Sequence, residues 1–190
     1  MFSQKGVAVS FYVICGPSGV GKGTIIKNLL AENSSYWLSV SATTRDPRPG
    51  EIDGQDYFFV SHEQFDEWVN NDQMLEWATV HQVHRYGTPR DPVFLAHSQG
   101  RIPILEVDLK GARQIRSTLP QAKHIFITPP SWQELEFRLR KRGTETEEDI
   151  TRRLATAKKE LDAQNEFDYI VCNDIVARAT NEIINIMNAS

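Results

Sequence analysis

The sequence has little cysteine: Cys15 and Cys172 are the only two in 190 residues. Each ends an apolar run, so we expect them to be buried as small hydrophobic side chains. A disulfide is not expected in such a chain, and two cysteines cannot make a zinc site. We therefore expect a reduced protein whose stability comes from its core.

Long apolar runs and excess positive charge are missing as well. No run approaches the length needed to span a bilayer, and residues 1–10 have no apolar stretch of signal-peptide length. The net charge is −4, whereas proteins that bind nucleic acids or membrane surfaces are usually basic. We therefore expect a cytoplasmic protein with neither a nucleic-acid nor a membrane partner.

The chain is long enough for one globular domain with a sizeable core. Apolar runs predict buried strands over residues 7–15, 102–107, 124–128 and 169–172. Helical spacing and capping residues predict helices over residues 24–32, 112–117, 135–141, 146–165 and 175–187. This alternation of strands and helices predicts a parallel α/β sheet.

The middle of the chain departs from this alternation. Residues 41–90 are rich in polar and turn-forming residues, with short strand-like runs at 56–60 and 75–83. Ser61 followed by Gln64 predicts the start of one helix between these runs. We therefore expect an inserted subdomain over about 41–90.

A glycine-rich loop joins the first strand to the first helix. It consists of Gly16, Pro17, Ser18, Gly19, Val20, Gly21, Lys22, Gly23 and Thr24. Glycines let backbone amides surround phosphate oxygens, the helix N-terminus adds a partial positive charge, and Lys22 adds a full one. The alternative is a tight turn that binds nothing, but the flanking strand and helix favour phosphate binding. Gly23 stands where a serine or threonine is usual, and the hydroxyl follows at Thr24.

A second candidate site lies in residues 41–57, which contain two arginines and a tyrosine. Arginine fits phosphate with two parallel donors, and a tyrosine hydroxyl adds a third. If the stretch is taken alone, the alternative to a phosphate site is a solvated basic loop. Its full pattern resembles the signature of the guanylate kinase family at every position: Thr43-Thr44-Arg45-x-x-Arg48-x-x-Glu51-x-x-Gly54-x-x-Tyr57-x-Phe59-Val60. The resemblance extends from the glycine-rich loop to Asn173 and Asp174.

The resemblance implies a P-loop NTPase fold with three α/β/α layers around a parallel core sheet. It implies a single domain over 1–190, whose core covers about 7–40, 91–137 and 160–190. A GMP-binding subdomain would cover about 41–90 and a helical lid about 138–159. The implied reaction transfers the γ-phosphoryl group of ATP to GMP, and also to dGMP, in purine nucleotide metabolism.

The resemblance also assigns the GMP contacts. It implies that the phosphate is bound by Arg45, Arg48, Tyr57 and Tyr86, and that the guanine is read by Ser41, Glu76, Thr88 and Asp108. The chemistry of Glu76 supports this, because a carboxylate accepts from both N1–H and the 2-amino group of guanine, and adenine offers neither donor. Without the resemblance, a surface acid beside Trp77 is the alternative. Tyr86 is assigned through the triplet Tyr86-Gly87-Thr88, in a stretch one residue longer than is usual in the family.

Cations cluster on either side of Gly143 although the protein is acidic. They are Arg138, Arg140, Lys141, Arg142, Arg152 and Arg153. A solvated helix face paired with glutamates is the alternative reading of this pattern. The resemblance implies a lid in which Arg138, Arg142 and Arg153 contact the ATP phosphates or the transferring group, and it places Asn173 near the adenine.

Mg²⁺ is the implied cofactor, near Thr24 and Glu106, and we expect water and phosphate oxygens to hold most of it. The acceptor oxygen of GMP is already an anion, so no general base is needed. Catalysis then consists of positioning and charge neutralisation by Mg²⁺ and by Lys22, Arg45, Arg138, Arg142 and Arg153. Two alternatives stay open: an inactive peptide-binding scaffold of the same fold, and a kinase with another acceptor. Monomer and homodimer are both compatible with the sequence.

Overall fold

The computed structural model describes residues 11–80, 83–141 and 146–189. The strands are β1 (Tyr12–Cys15), β2 (Tyr36–Leu38), β3 (Ala42–Thr43), β4 (Phe58–Phe59), β5 (Met74–Val80), β6 (His84–Pro89), β7 (Ile102–Glu106), β8 (Lys123–Thr128) and β9 (Tyr169–Cys172). The helices are α1 (Lys22–Glu32), α2 (His62–Asn70), α3 (Arg90–Ser98), α4 (Leu109–Thr118), α5 (Trp132–Arg140), α6 (Glu147–Asp162) and α7 (Val176–Asn188).

The core sheet has the order β2-β7-β1-β8-β9, and all of its neighbouring strands are parallel. Its central strands are apolar and buried on both faces, as a parallel sheet requires. Along β1, Tyr12 and Ile14 pack into one hydrophobic cluster with α1, α5, α6 and α7. Val13 and Cys15 face the opposite cluster with α3 and α4. The α/β fold with a parallel core sheet between helical layers is therefore confirmed.

The second sheet has the order β4-β3-β6-β5 and mixes both strand directions. Its β5 and β6 form an antiparallel hairpin, and β3 joins β6 to the short strand β4. Helix α2 covers this sheet through the fully buried Phe65, and Ser61 caps the helix by accepting from the Gln64 amide at 3.1 Å. Residues 42–89 thus form a small layered unit that projects from the core sheet.

Several strands and helices differ from those predicted from the sequence. The strands β2, β3 and β6 and the helix α3 were not predicted, and the run at 56–60 is a strand only at Phe58–Phe59. Asp56 and Tyr57 instead close a turn, in which Asp56 accepts from the Ile52 amide and Gly54 donates to the Tyr57 carbonyl. The predicted helix over 146–165 ends at Asp162, and a short 3₁₀ helix follows at Gln164–Glu166. The expected break at Gly143 lies outside the described residues.

Across the three described segments, no helix is both long enough and apolar enough to cross a membrane.

We predict that stability falls at low pH partly because of His124, which lies on β8 and is 1% exposed. Burial lowers the pKa of His124 from 6.5 to about 4; the nearby Arg116 also lowers it, and Asp168 opposes the shift. The unfolded chain binds this proton below about pH 6.5, whereas the folded protein binds it only when the pH approaches about 4. The free energy of unfolding therefore falls as the pH decreases from about 6.5 to about 4.

His124→Phe cannot titrate and should reduce the loss of unfolding free energy between about pH 7.5 and pH 5 by about 2 kcal/mol. Urea denaturation at both pH values measures this difference, with circular dichroism to verify that both proteins are folded. Identical losses in parent and variant would contradict the prediction.

Candidate active site

The glycine-rich loop leaves the carboxyl end of β1 and runs into the N-terminus of α1. Gly16, Gly19 and Gly21 have φ angles of 150°, 83° and 100°, where a side chain would be strained. In the described residues 22–25, the first turn of α1 has no acidic side chain. The positive end of the helix is thus left available to an anion.

Lys22 is held over this loop. Its Nζ donates to the carbonyl of Gly16 at 2.6 Å and to that of Pro17 at 3.3 Å. The ammonium therefore lies at the mouth of the loop, where it lines a cavity of about 510 Å³.

The Val20 carbonyl anchors the loop to two later segments of the chain. It accepts from Asn173 Nδ2 at 2.8 Å and from Arg138 Nη1 at 3.3 Å, and Arg138 Nη2 donates to the Asn173 carbonyl at 3.2 Å. Asn173 is 2% exposed. Its side chain therefore supports the loop from behind and does not line the cavity.

A cluster of cationic and phenolic groups forms where β3 and β6 meet. Arg45 donates to both Glu51 carboxylate oxygens at 2.9 and 3.0 Å, and its Nε donates to the Tyr86 hydroxyl at 3.2 Å. Glu51 also accepts from the Arg48 amide at 2.7 Å, and these bonds hold its pKa below the ordinary value. The Tyr57 ring lies 5.5 Å from the Arg45 guanidinium. These contacts hold the Arg45 fork in place before any ligand arrives.

Glu76 is a half-buried carboxylate on β5. Its Oε1 accepts from the Thr88 hydroxyl of β6 at 2.8 Å. Burial raises the pKa of Glu76 to about 7; the bond from Thr88 opposes the shift, and the charge of Asp108 adds to it. Asp108 caps α4 by accepting from the Gly111 amide at 2.7 Å. Two acidic side chains therefore meet at the start of α4.

The 510 Å³ cavity extends from the glycine-rich loop to the turn before β4. Its walls come from the glycine-rich loop, from the segment after β2, from the turn before β4, from the end of β7 and from α6; they include Gly16, Ser18, Lys22, Ser41, Tyr57, Glu106, Asp108 and Glu160. One continuous space therefore runs from the loop to the second sheet, which suits an elongated ligand with an anionic group.

A second cavity of about 430 Å³ lies outside the loop, where Thr24 and Glu106 join Lys22 in the wall. A hydroxyl and a carboxylate supply the hard oxygen atoms that Mg²⁺ prefers. In the parts of the chain that the structure describes, no three His, Cys, Asp or Glu side chains form a cluster able to hold a metal ion. The donor set fits an ion that takes one or two protein oxygens and completes its shell with water and phosphate.

Comparison with known proteins agrees with this geometry. A family model described as "Guanylate kinase" matches residues 9–190. A guanylate kinase of Cutibacterium acnes is 51% identical over 180 residues, which covers 95% of this chain and 90% of that protein. One of Prochlorococcus marinus is 52% identical over 171 residues, covering 90% and 91%.

The chain belongs to the guanylate kinase family. In structure, it is similar to the crystal structure of a guanylate kinase from Anaplasma phagocytophilum, with a TM-score of 0.72 at 30% sequence identity; the match covers 95% of this chain and 86% of that one. The family resemblance predicted from the sequence is therefore confirmed.

The structure brings part of the predicted site residues together. The larger cavity is bordered by Gly16, Ser18, Lys22, Ser41, Tyr57 and Asp108. Glu76 bonds to Thr88, and Arg45 bonds to Tyr86. The Arg48 side chain is exposed, and Arg153 lies on α6. Arg142 lies outside the described residues.

Two further acidic residues at the site were missed. Glu51 is part of the signature, and its spacing of three from Arg48 and six from Arg45 was the available signal. Glu160 lies on α6, is 9% exposed and borders the larger cavity with Lys22. Burial raises its pKa, and the charge of Lys22 opposes the shift. In sequence Glu160 resembles any acid of a charged helix, so only packing identifies it.

The loop geometry predicts opposite effects for two neighbouring glycines. Gly21→Ala would place a Cβ 2.5 Å from Asn173 Nδ2 at a φ of 100°, whereas a Cβ at Gly23 meets no atom within 4 Å. We expect Gly21→Ala to lower the free energy of unfolding by about 2 kcal/mol or more, and Gly23→Ala to change it by about 1 kcal/mol at most, in the stabilising direction. Denaturant titrations without nucleotide measure both, and equal losses would contradict the assigned backbone conformation.

Proposed function

We propose that this chain transfers the γ-phosphoryl group of ATP to GMP and releases ADP and GDP. Membership of the guanylate kinase family confirms the predicted enzyme class. The choice of acceptor rests on Glu76. This half-buried carboxylate accepts from Thr88 of β6, and Tyr86 of the same strand bonds to Arg45 in the proposed phosphate site.

Glu76 distinguishes guanine from adenine by charge and hydrogen bonding. The N1–H and 2-amino groups of guanine are both donors, and they favour the ionised carboxylate over the protonated form that burial promotes. An adenine would leave the carboxylate buried and unpaired, at a cost on the order of several kcal/mol. In this proposal Ser41, Thr88 and Asp108 complete the guanine site.

The GMP phosphate is held at the other cluster. Arg45, Arg48, Tyr57 and Tyr86 supply its donors, and Glu51 orients the Arg45 fork. The Arg45 guanidinium is fixed by bonds to Tyr86, Glu51 and the Asp46 carbonyl, so a phosphate that binds it takes the remaining N–H or replaces one of these partners.

On the donor side, the backbone of the glycine-rich loop holds the ATP phosphates. Lys22, Arg138, Arg142 and Arg153 neutralise the charge that spreads over the transferring group. Asn173 keeps the loop in shape through the Val20 carbonyl. Bound near Thr24 and Glu106, Mg²⁺ would supply further charge neutralisation at the phosphates.

The acceptor oxygen of GMP attacks in line and needs no base, because it is already an anion. Water must be excluded, since it would otherwise receive the phosphoryl group. We assign this exclusion to closure of a subdomain over about 41–90 and a lid over about 138–159 onto a core of about 7–40, 91–137 and 160–190.

Further parts of the proposal follow from the substrates. A deoxyribose keeps both the base and the phosphate, so dGMP should also be accepted. We place the enzyme in the cytoplasm, in purine nucleotide metabolism and GMP recycling, as a monomer or homodimer without nucleic-acid or membrane partners.

A panel of acceptors tests the function directly. With ATP and Mg²⁺, a coupled assay of ADP should show turnover with GMP and dGMP. Rates should be at least about a hundredfold lower with AMP and UMP, because adenine offers Glu76 neither donor and uracil offers only its N3–H. Equal rates with AMP or UMP would contradict the guanine assignment. A folded protein that forms no ADP with any acceptor would favour the inactive scaffold.

Lys22→Met tests the role of the loop cation. The variant keeps a long apolar stem but removes the positive charge, so we expect kcat to fall by about a hundredfold or more while the melting temperature stays near that of the parent. Steady-state kinetics with GMP and a thermal melt measure the two quantities. Turnover within about twofold of the parent would contradict the role of Lys22.

A further inference from the structure

Gly111 is a glycine at a position whose backbone does not require one. It is the third residue of α4 and is buried. Its φ is not among the positive values that occur at other glycines of the chain. An alanine would fit this backbone and would favour the helix, so the reason for a glycine must lie in its surroundings.

Those surroundings are the guanine-reading carboxylate. A Cβ built on Gly111 would lie 3.0 Å from Glu76 Oε2 and 3.3 Å from its Cδ, with Val107 Cβ at 3.1 Å. Each of these separations is a few tenths of an ångström shorter than ordinary van der Waals contact. A methyl group at position 111 therefore competes with the Glu76 carboxylate for space.

The backbone on either side of Glu76 is fixed against the same helix face. Gln114 donates to the Trp77 carbonyl at 3.0 Å and accepts from its amide at 3.2 Å, and the Thr118 hydroxyl donates to the Leu75 carbonyl at 2.6 Å. Positions 111, 114 and 118 follow helical spacing along one face of α4. Because these bonds hold β5 at a set distance from α4, a larger residue at 111 would displace the carboxylate and leave the strand in place.

We propose that Gly111 is a specificity-determining positioning residue, whose missing side chain lets the Glu76 carboxylate lie where it meets the N1–H and 2-amino donors of guanine. The inference rests on the proposed function and adds a residue to it. The Gly111 amide donates to Asp108, which caps α4. An alanine keeps this bond, so the substitution isolates the effect of the methyl group.

Gly111→Ala should raise KM for GMP by about tenfold or more, because the carboxylate loses its alignment with two donors. KM for ATP and the melting temperature should stay near the parent values. The preference for GMP over inosine monophosphate, which lacks the 2-amino group, should fall in the same variant; a general loss of structure would weaken both acceptors alike. Ser117→Ala, at an exposed position of the same helix, is the matched control and should change none of these quantities.

A double-mutant cycle identifies the contact. Glu76→Asp shortens the side chain by one methylene, so it should weaken GMP binding in the parent and weaken it less in the Gly111→Ala background, where a withdrawn carboxylate avoids the methyl group. Additive effects, or a KM for GMP within about twofold of the parent in Gly111→Ala, would overturn the inference.

Two further outcomes are distinguishable. If the parent itself does not phosphorylate GMP, the proposed function fails, whereas a parent active with GMP beside an unaffected Gly111→Ala defeats only this inference. If Gly111→Ala does not fold, the substitution is repeated with Glu76→Ala. Recovery of folding then supports the contact with Glu76, and continued failure points to Val107 and overturns the inference.

Discussion

The conformation of the loop between β1 and α1 constrains the rest of the site. Its glycines take backbone angles that other residues avoid. Three of them pass too close to later segments to carry a side chain: Gly16 to the Ile127 carbonyl, Gly19 to the Leu139 side chain and Gly21 to the Asn173 side chain. The loop is thus built against the ends of β8 and β9. A loop that presents its backbone amides needs this support, and the Lys22 side chain adds to it by donating to the Gly16 and Pro17 carbonyls.

Acidic side chains balance the cations of the site in the structure without nucleotides. Glu51 pairs with Arg45, Glu134 pairs with Arg138 at 2.8 Å, and Glu160 lies in the wall of the cavity that Lys22 shares. Without these acidic partners, the clustered cationic side chains would repel one another or pair with other acidic residues. These ion pairs hold Arg45 and Arg138 in defined positions.

The junction between α4 and β5 links the two sheets. Helix α4 packs on the core sheet through Ala112 and Ile115, and its opposite contacts hold β5 of the second sheet through Gln114 and Thr118. Glu76 lies between these two bonds. The helix therefore fixes the part of the second sheet that carries Glu76 to the core. Glu76 and Thr88 lie on β5 and β6, and Arg45 bonds to Tyr86 of the same β6, so the proposed base and phosphate contacts share the smaller sheet.

The sequence by itself determined the parallel core, the glycine-rich loop and the candidates for the site. Apolar runs of four to six residues bury both faces of a strand, and a loop that must bind phosphate through its backbone leaves a pattern of glycines that local spacing reveals. The family signature carried Arg45, Arg48 and Tyr57 in the same local way.

Tertiary structure alone decided the short strands β2 and β3, the strand β6, the helix α3 and the surroundings of Gly111 and Glu160. A strand of two or three residues has no measurable period, and its neighbours across the sheet, not its own side chains, stabilise it. The surroundings of Glu160 and of Gly111 are formed by groups that lie far away in sequence: Lys22 lies 138 positions from Glu160, and Glu76 comes well before Gly111. Charge pairing and steric room are properties of the folded arrangement, so no local pattern of residues reports them.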